Sequence, residues 1–260
     1  MTKPVLTALT DGVMTITLNR PEKRNALTSE MYGLIRDGLT AAREDPATRV
    51  VVITGAGDSF TAGNDLQGFA SLETPGEGGG KAAIWQLMDI MIDYEKPVIA
   101  SVRGPAVGIG TTLLLHCDLV IAGEGARFAL PFTRLGLVPE FGSSMLLPLL
   151  GGRLRAAHTL LLGESFGVDW ARELGLVSQV CADTELEQVT LERAGALAAL
   201  PPRALRETKR LINSPALREQ LHKVIEMEAE AFRKGLASEE HKEAVGAFFE
   251  NRPPDFGRFR

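Results

Sequence analysis

Residues 49 to 55 read RVVVITG, whose centre, residues 50–53, is continuously apolar and which ends on glycine. A strand with one wet face alternates in polarity. A continuous run of this length therefore belongs to a strand buried on both faces, as in a parallel sheet. Parallel neighbours need a crossover between them, and such crossovers are right-handed. KPVIASV (96–102), DLVIAG (118–123) and GLVSQVC (175–181) are the further strand segments. Ahead of them, VLTALTDGVMTITLN reads as a hairpin about Asp11-Gly12, a pair that accepts positive backbone angles. A helix capped by Thr28 or Ser29 follows, with Met31, Leu34, Ile35, Leu39 and Ala42 on one stripe.

The spacing predicts further helices over 82–95 and, as a turn or two, over 108–117. Two more, 143–152 and 153–163, are separated at Gly151-Gly152. ETPGEGGGK (73–81), with its glycines at 76 and 78–80, reads as a surface loop or a lid. From Thr184 onward the pattern is almost wholly helical, punctuated by Pro201-Pro202 and Pro215. The chain thus divides into a β-rich α/β core over 1–195 and a helical C-terminal region over 196–260.

Several function classes fall away at this point. The net charge of −5, with Lys and Arg scattered, leaves no footprint for nucleic acid. No apolar stretch reaches the roughly 18 residues that span a bilayer. MTKPVLTALT runs directly into strand pattern with no leader signature, and DFGRFR is not a peroxisomal address, so a cytoplasmic protein is expected. Cys117 and Cys181 each sit in apolar runs and read as reduced, buried thiols. The four histidines show no metal-ligand spacing. GAGDSFTAG follows a strand but lacks the spacing of a dinucleotide or Walker loop.

Three stretches concentrate unusual chemistry, each beside a predicted strand end, where α/β folds collect ligands. They are FTAGNDL (60–66), GPAVGIGTT (104–112) and LVPEFG (137–142). In the first two, glycines beside small residues permit unusual backbone angles and close approach. Such corners are either tight packing turns or a pair of N–H donors aimed into a cavity. In the third, Glu140 lies among Leu137, Val138, Pro139 and Phe141. If buried, its carboxyl is disfavoured in the charged form and suited to taking and returning a proton near neutrality. Otherwise it is a solvent-facing turn acid or a helix N-terminal glutamate.

Taken together, TLNRPEKRNAL (17–27), FTAGNDL, KPVIASVRGPAVGIGTTLLLHCDLVIAGEGARFALPFTRLGL (96–137) and EHKEAVGAFFENRPPDF (240–256) resemble the crotonase, or enoyl-CoA hydratase/isomerase, superfamily over nearly the whole chain. The resemblance implies repeated β-β-α units that build two nearly perpendicular sheets, with a C-terminal helical trimerisation region. It implies an acyl-CoA thioester as substrate, a homotrimer or a dimer of trimers, and no metal or redox cofactor, coenzyme A being part of the substrate. By position, the N–H groups of Ala62 and Ile109 would hold the thioester oxygen, with Gly108 and Gly110 shaping the second corner. Lys23, Arg24, Ala26 and Leu27, with Gly63, Asp65 and Leu66, would lie along the coenzyme A moiety. Phe132 and Leu137 would lie on the acyl side. Phe248 and Phe249 are expected in the core or at the trimer interface.

The positions at which the family's hydratases carry two glutamates hold Thr112 and Phe132 here, and neither can act as a carboxylate base. Glu140 falls instead where the peroxisomal-type Δ3,Δ2-enoyl-CoA isomerases carry a single glutamate. The resemblance therefore implies an isomerase that moves a 3-enoyl-CoA double bond to the 2-position, in which replacing Thr112 matters little beside replacing Glu140. An isomerase of ring-epoxide CoA thioesters, another crotonase-type enzyme such as a hydratase, and a non-catalytic acyl-CoA-binding protein are the alternatives.

Overall fold

The computed structural model describes residues 3–65, 82–250 and 252–259. Two strands, β1 (Val5–Thr10) and β2 (Val13–Leu18), form the expected hairpin, with Asp11 and Gly12 at φ 49° and 81° in the turn. The helix α1 (Ser29–Glu44) is capped by Thr28, whose side chain accepts from the Met31 N–H. Then come β3 (Val50–Gly55), α2 (Ala83–Ile92), β4 (Val98–Val102), β5 (Pro105–Val107) and α3 (Ile109–Thr112), the last continuing as a 3-10 turn to His116. They are followed by β6 (Leu119–Gly123), β7 (Arg127–Ala129), α4 (Ser143–Gly151), α5 (Arg153–Leu162), β8 (Ser165–Gly167), α6 (Val168–Glu173) and β9 (Gln179–Cys181). The chain ends in α7 (Leu186–Ala198), α8 (Pro202–Ile212), α9 (Pro215–Leu236) and α10 (Glu239–Phe249).

Six strands form one sheet in the order β1-β2-β3-β4-β6-β9, parallel throughout except for the first hairpin. The uninterrupted apolar runs now have a cause. Val51, Ile53, Val98 and Ala100 face a core shared with α1 and α2, whereas Val50, Val52, Ile99 and Ile121 face Leu186 and Ala194 of α7. Both faces are dry, so neither alternating set can be polar. The division expected at 195/196 falls inside α7, the helix that closes the second face.

A second sheet, β5-β7-β8, is built from three-residue strands too short to give a periodic signal in sequence. Single bridges extend it, Thr61 to Ala106 and Leu27 to Asn64. After leaving the large sheet at β2, β3, β4 and β6, the chain therefore turns a corner and lays a short segment beside the previous one. The corners are tight: a Cβ on Gly104, which has φ 57°, would lie 2.0 Å from the Asp58 carbonyl oxygen.

Asn25 staples the first two corners together. It is fully buried and takes φ 55°, a left-handed conformation that asparagine tolerates better than most residues. Its Nδ2 donates to Ala56 O at 2.9 Å and Ser59 O at 2.7 Å, and its Oδ1 accepts from Arg20 N at 2.8 Å. Its own carbonyl accepts from Thr61 Oγ1 at 2.7 Å. Replacing Asn25 with Ala leaves several buried polar groups unsatisfied and strains the backbone. The expected loss in urea unfolding is about 3 kcal/mol, and an unchanged midpoint would show that the corners are held by other contacts.

Candidate active site

A cavity of about 1300 Å³ opens between the corners of the second sheet, α2 and α9. Its lining includes Lys23, Ala26, Ala62, Gly63, Asn64, Asp65, Gly108 and Ile109 from the corners. Phe132, Leu135, Leu137, Phe232, Leu236 and Val245 add apolar lining, with the Phe132 and Phe232 rings edge to face at 6.4 Å. Glu140 is also on the lining.

The Glu140 corner is restrained on every side. Phe141 is a non-glycine residue at φ 56°, followed by Gly142 at φ 75°. The Glu140 carbonyl accepts from the N–H of Ser143 at 3.1 Å and its hydroxyl at 2.7 Å. The Phe141 carbonyl lies 2.8 Å from His116 Nε2, and the two rings stack at 3.8 Å. A carbonyl can only accept, so Nε2 carries the proton. Burial keeps this imidazole neutral, pushing its pKa down to about 4 against the opposing effect of the Phe141 bond. Next in the chain, the Gly142 and Ser144 N–H groups and the Ser144 hydroxyl donate to the Glu228 carboxylate of α9, at 2.6, 2.9 and 2.5 Å.

The Glu140 side chain is 8% exposed. Burial pushes its pKa up to about 8; the Thr112 hydroxyl, donating to Oε1 at 2.5 Å, pulls the other way, and the nearby Glu228 carboxylate adds to the rise. The solvent-facing alternative for Glu140 is thus removed. Thr112, expected to matter little, donates directly to the Glu140 carboxyl. Glu140 also adds to the rise in the pKa of Tyr32, a buried phenol of α1 whose hydroxyl donates to Asn64 Oδ1.

The first corner requires a correction. The Ala62 N–H donates to Arg24 O at 2.9 Å, so it is engaged within the protein although Ala62 lines the cavity. In the bridge between Leu27 and Asn64, the partners of Leu27 are Gly63 O and Asp65 N, which turns the N–H of Asn64 away from that pairing. Among the described residues, no acceptor takes the N–H of Asn64 or of Ile109. Both residues line the cavity, and the Ile109 side chain is buried in the core rather than aimed at a ligand. Gly63 brings the corners together: at φ 89° its missing Cβ would stand 2.7 Å from Val107 O.

The remaining expected residues divide. Lys23, Ala26, Gly63, Asp65, Gly108, Phe132 and Leu137 line the cavity, with Asp65 paired to Arg20 at 3.0 Å. Arg24 is exposed and contributes its carbonyl to Ala62; Leu27 is a core residue. Gly110 is buried, where a Cβ would collide with Thr61 Cγ2 at 2.3 Å, so it serves packing. Phe248 and Phe249 are exposed rather than in the core of the chain, and Phe248 lines the cavity. Leu66 and the glycine-rich loop lie outside the described residues. Among the described residues, no three His, Cys, Asp or Glu side chains cluster to hold a metal ion, and no helix is long and apolar enough to cross a membrane.

Tyr32, Asn64, His116 and Glu228 were not picked out from sequence. One of them left a signal: Glu228 interrupts the apolar stripe Leu221, Ile225, Phe232 of α9, and an acid at a core position of a helix requires a partner.

A family model described as enoyl-CoA hydratase/isomerase matches residues 8–258. The chain is 38% identical to rat (Rattus norvegicus) enoyl-CoA delta isomerase 2 over 96% of its own length, but spans only 64% of that longer protein. It is 36% identical to the 1,2-epoxyphenylacetyl-CoA isomerase of Escherichia coli K12, over 97% of both chains. The crystal structure of an enoyl-CoA hydratase/isomerase from Pseudoalteromonas atlantica T6c superposes with a TM-score of 0.92 at 40% identity, covering 98% of this chain and 100% of that one.

The ionisation of Glu140 has a consequence for stability. Its folded pKa, about 8, lies above the 4.5 of an ordinary glutamate carboxyl, so the folded state retains a proton that the unfolded state releases as pH rises between them. Stability is lost through that interval. A neutral isostere removes the loss: Glu140→Gln is expected to unfold like wild type near pH 4 and to be more stable by on the order of 2 kcal/mol at pH 8. Denaturant titrations at the two pH values measure this, and an equal difference at both would show that Glu140 ionises normally.

Proposed function

The chain belongs to the enoyl-CoA hydratase/isomerase family, and from that premise we propose that it is an acyl-CoA isomerase that moves a 3-enoyl-CoA double bond to the 2-position, with Glu140 as its single acid–base group. The observation that carries this reading is the sealed Glu140 carboxyl on the cavity lining, with its pKa pushed up to about 8. A group of that pKa is able both to accept and to return a proton near neutrality. The hydratase pair is absent, since its positions hold Thr112 and Phe132.

In the proposed reaction the thioester oxygen accepts from the N–H groups of Asn64 and Ile109. Glu140 removes a proton from C2. The C–H electron pair spreads over C2 to C4 and onto the thioester oxygen, whose growing charge the two main-chain donors stabilise. Removing one such donor costs about 10²–10³-fold in rate in comparable sites. Glu140 then delivers the proton to C4, and a C2–C3 double bond remains, conjugated with the thioester. Both carbons are served from one face and no water takes part, which suits the apolar surround. Lys23, which lines the cavity, supplies the cation for the coenzyme A phosphates in this reading. Exposed leucines on α4 and α5, among them Leu149, Leu154 and Leu161, support the trimeric assembly implied by the family.

Rearrangement of a ring-epoxide CoA thioester is the second reading, supported by the full-length match to the Escherichia coli enzyme. A purified-enzyme panel of 3-hexenoyl-CoA against cyclic thioesters separates the two. Glu140→Gln is expected to retain coenzyme A ester binding and to lose at least 10²-fold in turnover. Wild-type rates in that variant would remove Glu140 from the chemistry.

A further inference from the structure

The backbone around Glu140 is already immobilised, so what is left to control is its carboxyl. The Glu140 carbonyl is held by Ser143, the Phe141 carbonyl by His116, and the Gly142 N–H by Glu228. Thr112 ends α3 and His116 ends the 3-10 turn that continues it, and both reach the same corner. His116 takes the main chain and Thr112 takes the side chain.

Thr112 is fully buried and β-branched, which restricts its χ1 and fixes the direction of its hydroxyl. That hydroxyl has one proton and two acceptors within reach, Glu140 Oε1 at 2.5 Å and Ile109 O at 3.4 Å. The nearer and charged acceptor wins when Glu140 is ionised. Its neighbour behaves differently: the Thr111 hydroxyl bonds Ala106 O at 2.5 Å and lies 3.2 Å from Ala129 O, tying α3 to the second sheet. Among the described residues, Oε2 of Glu140 has no protein partner, and Glu140 borders the cavity.

We infer that Thr112 is a positioning residue that makes Glu140 a one-oxygen acid–base group: it occupies Oε1 and presents Oε2 alone to the substrate. The inference rests on the isomerase reading above. The C2–H bond breaks as Oε2 takes the proton, and the same oxygen gives it back as the C4–H bond forms. No other reactant is needed. Since Ile109 begins the helical run that bears Thr112, the thioester donor and the grip on the base are parts of one rigid piece. The other titratable groups facing Glu140 are Glu228 of α9, whose carboxylate raises the cost of a second charge, and the buried Tyr32 of α1. His116, neutral at working pH, reaches only the main chain of the corner.

Thr112→Val retains shape and removes the hydroxyl, Thr112→Ala removes it by a second route, and Thr112→Ser restores it. The Glu140 carboxyl is titrated in each full-length, ligand-free protein by carbon-13 NMR or infrared difference spectroscopy, with Glu140→Gln as the assignment control. The pH profile of kcat/KM on 3-hexenoyl-CoA is measured in parallel. In Val and Ala, the carboxyl titration and the acid limb of the profile are expected to move up by about one to two pH units, with turnover at pH 7 down about 10- to 100-fold and KM within about twofold. Ser is expected to titrate as wild type. An unmoved titration in both Val and Ala, or a Ser variant that behaves like Val, overturns the inference. If wild type turns over no 3-enoyl-CoA, the isomerase reading falls by itself, while the titrations still decide whether Thr112 governs Glu140.

Discussion

Taking a carboxyl group out of water raises the free energy of its charged form, and at Glu140 this is done with no cation among the described residues drawing the pKa back down. What it supplies instead is one hydroxyl, from Thr112, and a corner that cannot relax. His116 and Ser143 hold the two carbonyls, Glu228 gathers the N–H groups at the start of α4, and Phe141 is kept at a backbone angle few large residues adopt. Such strain persists only where the surroundings over-determine it. The restraint and the raised pKa are therefore two aspects of one arrangement, a poorly solvated acid with nowhere to turn.

The donors at the corner end of the site come from main chain rather than side chain. Asn64 and Ile109 offer their N–H groups because the bridges of the second sheet use the other polar groups of those corners. A main-chain donor is indifferent to the side chain on the same residue, provided that side chain has another place to go. The Ile109 side chain goes into the core. The correction from Ala62 to Asn64 has the same origin: which N–H is left over in a corner depends on pairing register, and Arg24 claims the one at Ala62.

The C-terminal helices complete the cavity. α9 contributes Ile225 and Phe232 to its lining and, between them, Glu228 to the acid corner. α10 is docked on the 133–135 turn through His241, whose Nδ1 lies 2.7 Å from Leu135 O. An arrangement in which distant helices both line the apolar part of the cavity and hold the Glu140 corner explains why the site is built from segments spread over most of the chain.

The sequence by itself determined which strands are buried on both faces and which glutamate to examine. Doubly buried strands must be apolar at their centres and helices facing them must carry a stripe, so RVVVITG and the α1 stripe were readable from local chemistry; a lone glutamate in an apolar turn was conspicuous, but its burial was left open until the fold placed it. Only the tertiary structure decided the second sheet, the free donors and the grip on the acid. Three-residue strands have no period to read, and the leftover N–H of a corner depends on register with a segment some 40 residues away. Thr112, Tyr32 and His116 are unremarkable residue types whose roles arise from contacts across the fold. Chemistry that depends on one residue's nature is written along the chain, whereas chemistry that depends on which groups remain unpaired exists only once the chain has closed on itself.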